Sequence, residues 1–188
     1  MRCIGPVSLG VLLVACALAG GCGDGTSDAS AGGSQQLGAA PEFSHPDLAG
    51  QVVELSSLRG RTVIIDFWAT WCPPCVFQPE QLNAFWERHQ DGHEYAVLGI
   101  EVGGASVAEI REWAEENDAV ARYPILTGAD EDLARRFGAL GFPALVIVNP
   151  QGAIHSVHVG LTTAEKLEEL VAGVATEPTA SAPAGEAG

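Results

Sequence analysis

The sequence predicts an α/β domain: a mixed central sheet with helices on both faces and an added N-terminal β-hairpin. Three observations carry that prediction. Thr62–Trp68 is an almost unbroken β-branched and aromatic run, the habit of a strand buried on both faces. Apolar helical faces then alternate with further apolar strands. Late in the chain, two strands flank Asn149-Pro150-Gln151-Gly152, a strong turn signal. Strands separated by helices early and a hairpin late place parallel and antiparallel neighbours in one sheet.

The elements follow in order. Gln51–Leu55 alternates and comes just after the Asp47-Leu48-Ala49-Gly50 turn, so an early hairpin is expected ahead of the buried strand. Leu82, Phe85, Trp86 and His89 share one helical face. Tyr95–Val102 reads as a second apolar strand. Ser106-Val107-Ala108-Glu109 is a capping box, with Ile110 and Trp113 on one face behind it. Leu133 and Phe137 mark a short helix closed by Gly138. Ala144–Val148 is a strand, and Ala153–Val159 pairs back onto it across the turn. Thr162-Thr163-Ala164-Glu165 offers another capping box for a last helix with Leu167, Leu170, Val171 and Val174 on one face.

The chain has 188 residues, with nine Lys+Arg against 24 Asp+Glu and a net charge of −15. That length suits one domain plus extensions. The acidity argues against a nucleic-acid partner, which needs clustered cations. Lys166 is the one lysine, the arginines are scattered, and a polybasic membrane patch is lacking. At 47% apolar residues the chain can build a core.

The two ends differ from the middle. Residues 1–22 carry one cation, an apolar run from Ile4 to Ala19 and a small-residue exit, the pattern of an export signal too short for a membrane span. Cys16 and Cys22 both follow small residues and both resemble a bacterial lipobox cysteine. Leu13 favours Cys16. Cys22 is the expected lipidation site, because polar sequence begins right after it and cleavage there leaves no odd thiol. An ordinary cleaved signal is the alternative. Residues 23–40 are expected to be a flexible tether with a reach of roughly 20–25 Å, residues 41–175 the folded domain, and residues 176–188 a disordered tail.

Inside the folded stretch two cysteines remain, in Trp71-Cys72-Pro73-Pro74-Cys75, directly after the buried strand and at the start of a helix. A helix N-terminus offers unpaired N–H groups and partial positive charge, which stabilise a thiolate. Prolines suit the first helical positions, where their missing N–H costs nothing. Cysteines three apart can close and reopen a disulfide, with Cys72 as the more exposed, attacking thiol and Cys75 as the resolving one. Half of a zinc site and a structural clip are the alternative readings. Zinc needs two more ligands, and among His45, His89, His93, His155 and His158 only His89 and His93 have ligand-like spacing. No metal or other cofactor is expected.

The run Asp66-Phe67-Trp68-Ala69-Thr70-Trp71-Cys72-Pro73-Pro74-Cys75 resembles the active-site segment of the thioredoxin superfamily, and more closely that of the exported TlpA/ResA-like thiol–disulfide oxidoreductases. Pro41-Glu42-Phe43, Asp47-Leu48-Ala49-Gly50 and Leu58-Arg59-Gly60 are similar to that family's N-terminal hairpin. Gly141-Phe142-Pro143-Ala144 stands where the family has Gly-x-Pro-Thr. The resemblance implies a thioredoxin fold over about Pro41 to Val174. It also implies that Pro143 is a cis-proline whose loop lies against the cysteines, with an ordinary strand-start proline as the alternative. It implies that Asp66 is a buried acid of raised pKa that takes the proton of Cys75, a partly solvated strand-end acid being the alternative. Trp71 either shapes the substrate surface or packs in the core.

The sequence also departs from the family. Gln78 stands where the family has a glutamate, with Pro79 and Glu80 behind it, and the helix is expected to kink near Pro79. Gly99 falls where thioredoxin carries a lysine near its acid, and Ala144 replaces threonine. The resemblance implies an extracytoplasmic, lipid-anchored enzyme, periplasmic or on the outer cell face. It would reduce disulfides of client proteins such as apocytochrome c and draw electrons from a membrane thiol carrier; nothing in the sequence suggests an obligate dimer, so a monomer is expected. An oxidase or isomerase of the same fold and a Cu(I)-binding module are the alternatives. A peroxidase is disfavoured, because Ala69 occupies the position where peroxiredoxins carry Thr or Ser.

Overall fold

Seven consecutive buried residues, Thr62–Trp68, form β3, the middle strand of a five-stranded sheet. In this computed structural model residues 37–175 are described. The expected signal, both lipidation candidates Cys16 and Cys22, most of the tether and the 176–188 tail therefore lie outside the described residues. Ahead of the sheet, β1 (Ser44–Pro46) and β2 (Val52–Glu54) make the expected hairpin, antiparallel with His45 opposite Val53. Asp47 closes its turn by accepting from the amides of Ala49 and Gln51, each at 2.8 Å.

The main sheet has the order β5-β4-β3-β6-β7, with β4 at Tyr95–Glu101, β5 at Ile125–Leu126, β6 at Ala144–Val148 and β7 at Ile154–Val159. β3 runs parallel to β4 and antiparallel to β6, and β4 runs parallel to β5. Because side chains alternate along β3, its two faces feed two cores. Val63, Ile65 and Phe67 pack with Phe43, Leu55 and, from α3 (Glu131–Arg136) and its C-cap, Leu133 and Phe137. Ile64 and Trp68 pack on the other side with Leu82 and Phe85 of α1 (Gln78–His89), Ile110 of α2 (Val107–Glu116), and Leu167 and Val171 of α4 (Ala164–Ala175). Helices thus cover both faces, as the sequence predicts. Among the described residues, no helix is long and apolar enough to cross a membrane.

The structure corrects several local readings. β5 was not expected: two residues are too few for a periodic signal, and the strand exists because Gly99 and Ile100 of β4 offer it an edge. Ser106 and Glu109 form the reciprocal capping box as read. The later box does not form. α4 begins at Ala164, and Thr163, not Thr162, accepts from the Lys166 amide at 3.2 Å. Thr162 is held elsewhere, as the site shows. The kink expected near Pro79 is a change of helix type instead: Pro73–Phe77 is a 3-10 turn and α1 starts at Gln78, so Pro79 sits in the first turn of α1, where an N–H is not needed. Residues 37–40, counted with the tether in the sequence reading, hydrogen-bond to the start of β7, from Leu37 N to Ile154 O and from Ile154 N to Gly38 O.

Candidate active site

β3 carries the chain to Ala69, and the next three residues turn it into the 3-10 segment. Cys72 has extended backbone and caps that segment, with Pro73 and Pro74 in its first two positions. The Cys72 amide donates to Ala69 O at 3.0 Å and the Cys75 amide to Cys72 O at 3.1 Å. This tight turn sets the two Cα atoms 5.4 Å apart, and the sulfurs are joined in a disulfide. The pair is therefore at a helical N-terminus as read, though its first turn is 3-10. Cys72 is 4% exposed and Cys75 1%. In the oxidised state both cysteines are buried, in the same core as Ile64 and Trp68.

The neighbouring residues surround this turn. Trp71 is 57% exposed, which removes the core-packing account of it. Its ring meets Phe142 edge to face, with centroids 5.8 Å apart. Phe142 precedes Pro143 through a cis peptide bond, so the loop carrying Pro143 stands beside the Trp71 segment, and Pro143 O accepts from Gly160 N at 2.8 Å. Pro143 is not an ordinary strand-start proline.

Asp66 is 2% exposed in the body of β3, not at a solvated strand end. Desolvation by burial raises its pKa from 3.8 to about 8. Its strand neighbours are Gly99 and Leu145, which bring no charge. The one lysine, Lys166, pairs with Glu169 on α4 instead. Asp66 Oδ1 has no hydrogen-bond partner among the described residues.

Two site residues were illegible in the sequence. Gln78 is read there as a lost acid. In the structure it is 1% exposed and clamps the chain beyond β7: its Nε2 donates to Thr162 O at 3.0 Å, and Thr162 N donates to its Oε1 at 2.9 Å. A two-way clamp needs one donor and one acceptor, which an amide has and a carboxylate lacks. Glu101 was not singled out at all. It is fully buried at the end of β4 and accepts from the amides of Gly103, Gly104 and Ala105 at 2.8, 3.1 and 3.0 Å. A Cβ on Gly103 would stand 2.6 Å from Glu101 Oε1 and 2.7 Å from the Trp71 indole nitrogen, so glycine is required where the β4 loop meets the cysteine segment. The sole local signal for Glu101 was a charged residue inside an otherwise apolar strand.

The histidines are dispersed. His89 stacks on Phe85 and contacts Glu168, and among the described residues no group of three or more His, Cys, Asp or Glu side chains is arranged to hold a metal ion.

Comparison with known proteins agrees with this architecture. The chain is 28% identical over 139 residues to the thioredoxin-like protein YneN of Bacillus subtilis, covering 73% of this chain and 79% of that one. It is 26% identical over 133 residues to the thiol–disulfide oxidoreductase ResA of the same organism, covering 70% and 72%. A crystal structure of a thiol:disulfide interchange protein from Chlorobium tepidum superposes with a TM-score of 0.60 at 24% identity, over 72% of this chain and 94% of that one, a likeness of fold. Residues 38–157 match the AhpC/TSA family, so the chain belongs to that family, with the thioredoxin-like fold and the paired cysteines of a thiol–disulfide oxidoreductase.

Proposed function

We propose that this enzyme is an extracytoplasmic dithiol reductant, lipid-anchored through Cys22, that reduces disulfides in client polypeptides, with apocytochrome c among the candidates. The observation that carries the reading is the Cys72–Cys75 pair at a helical N-terminus, with Asp66 buried in the strand that leads to it, and with exposed Trp71 packed against half-buried Phe142 beside it.

The Cys72 thiolate attacks one client sulfur. The client disulfide breaks, a mixed disulfide forms, and the other client sulfur leaves as a thiolate. The Cys75 thiol gives its proton to the Asp66 carboxylate and attacks Cys72 Sγ, which releases the second client sulfur. The client gains two electrons and the enzyme is left with the Cys72–Cys75 disulfide. With a pKa of about 8, roughly a tenth of Asp66 is ionised at pH 7, enough to serve as a base without holding a permanent buried charge. A membrane thiol carrier would return the dithiol. Trp71 and the Pro143 loop would receive the client backbone. Ala69, fully buried three residues before Cys72, offers no hydroxyl for peroxide chemistry.

The decisive measurement is the reduction potential of the couple in a glutathione or dithiothreitol buffer. A value near or below about −230 mV supports the reductant. A value above about −180 mV overturns it in favour of an oxidase or isomerase. Independently, Cys75→Ser in membranes should trap clients on Cys72 as mixed disulfides, and their absence would remove the exchange mechanism.

A further inference from the structure

The dithiol and the loop that would receive a client come from different parts of the chain. Cys72 and Cys75 belong to the turn after β3, and Phe142–Pro143 to the entry into β6. A sulfur on Cys72 and a client backbone on the loop are productive together only if the two supports keep their spacing. A misplacement of about 1 Å can cost two orders of magnitude in rate.

One buried side chain bridges the two supports. Gln78 follows Cys75 by one helical turn, and its backbone N–H donates to Cys75 O. Its carboxamide crosses to the segment after β7 and engages both backbone groups of Thr162. Nε2 donates to Thr162 O at 3.0 Å, and Thr162 N donates to Oε1 at 2.9 Å. Two residues earlier in that segment, the Gly160 amide donates to Pro143 O at 2.8 Å. The path from Cys75 to Pro143 therefore runs through Gln78, Thr162, Leu161 and Gly160, each joined to the next by hydrogen bonds or a peptide bond.

Packing leaves the middle of that path loose. Leu161 is about half exposed, and Gly160, with φ of +100°, has no side chain to anchor. The carboxamide supplies the missing restraint, because breaking either of its bonds strands a buried polar group. A second bond onto the same stretch, from Ala164 N to Gln81 Oε1 at 3.2 Å, is longer and lies on the α4 side of Thr162.

We propose that Gln78 is a positioning residue for the dithiol reaction: its carboxamide fixes the Pro143 loop against the Cys72–Cys75 turn and so sets how firmly a client polypeptide is held. It acts through Thr162 and Gly160, not on the sulfurs. The inference rests on the reading that the Pro143 loop receives the client. A disulfide too small to reach that loop should be indifferent to the brace.

The test compares the parent with Gln78→Met, which keeps the side-chain length and removes both bonds. In reduction of insulin by the full chain with dithiothreitol, KM should rise about fivefold or more while kcat stays within about twofold. The rate constant of the reduced protein with oxidised glutathione should also stay within about twofold. In the oxidised protein the Gly160 amide should exchange with deuterium about tenfold faster, while amides in the middle of β3 keep their protection. Gln81→Ala should leave all of these at parent values. Gln78→Glu keeps the test decisive should Gln78→Met fail to fold. At pH 5 its neutral carboxyl still offers one donor and one acceptor, so Gly160 should stay protected; at pH 8 the carboxylate has no donor for Thr162 O, and protection should fall. An unchanged KM for insulin, an equal loss with oxidised glutathione, unchanged Gly160 exchange, or the same changes in Gln81→Ala would each overturn the assignment. A parent chain that reduces neither disulfide would overturn the exchange mechanism itself, and Gly160 exchange would still decide the brace.

Discussion

Asp66 in the middle of β3 and Glu101 at the end of β4 are the two acids the fold buries most completely, and they are treated in opposite ways. The β4 loop delivers three backbone amides to Glu101. Asp66 receives none at Oδ1, sits between Gly99 and Leu145, and holds its proton up to about pH 8. Burial alone does not set the character of a carboxyl group; the number of donors that the surrounding backbone can aim at it does. The loop after a strand end can turn its amides inward, whereas a mid-strand position has already committed its neighbours' amides to the ladder. Glu101 is thereby suited to hold a loop, and Asp66 to exchange a proton.

Removing the compensated acid should cost most. Glu101→Ala leaves three loop amides without the buried acceptor that holds them and should destabilise the oxidised protein by about 3–5 kcal/mol in urea unfolding. A loss below about 1 kcal/mol would mean that water replaces the carboxylate.

The uncompensated acid should behave in reverse. Its folded pKa lies above its unfolded one, so its destabilising effect is absent below about pH 4, grows as pH rises, and is complete above about pH 8. Asp66→Asn should therefore gain stability relative to the parent by about 5 kcal/mol between pH 4 and pH 8. In stopped-flow exchange the same variant should release a mixed disulfide at least tenfold more slowly and lose the pH dependence near 8. A stability difference that stays flat with pH would show that Asp66 titrates normally.

Gln78 lies between these extremes, buried yet neutral. Gln78→Glu deprives Thr162 O of its donor and places a carboxylate where no spare N–H exists. A loss of about 1–3 kcal/mol is expected in the same unfolding assay, larger at pH 8 than at pH 5. An unchanged midpoint would mean that the loop after β7 moves to solvate it. The smallest stability effect belongs to Trp71→Ala. With more than half of its surface exposed, Trp71 should change unfolding by about 1 kcal/mol or less while slowing reduction of a folded client protein. An equal slowing with a small disulfide such as oxidised glutathione would argue against a role in client contact.

Much of this frame is legible along the chain. A strand as apolar as Thr62–Trp68 has to be central, and a Cys-Pro-Pro-Cys turn directly after it has to open a helix. The Asn149–Gly152 turn has to reverse the chain. Each depends on residues within a few positions of one another. β5 escaped because an edge strand of two residues is created by its partner. The second capping box misled because two adjacent threonines compete for one cap, and Gln78, 84 residues away, takes the first of them.

What the residues determined by themselves is the order of the elements and the seating of the two cysteines, because propensity, periodicity and turn chemistry act locally. Tertiary structure alone decided which acid is compensated, what Gln78 holds, and that position 99 has no room for a side chain against Ile125, Trp68 and Tyr123. Desolvation, hydrogen-bond pairing and void volume are properties of what arrives from elsewhere in the chain, and no local pattern encodes them.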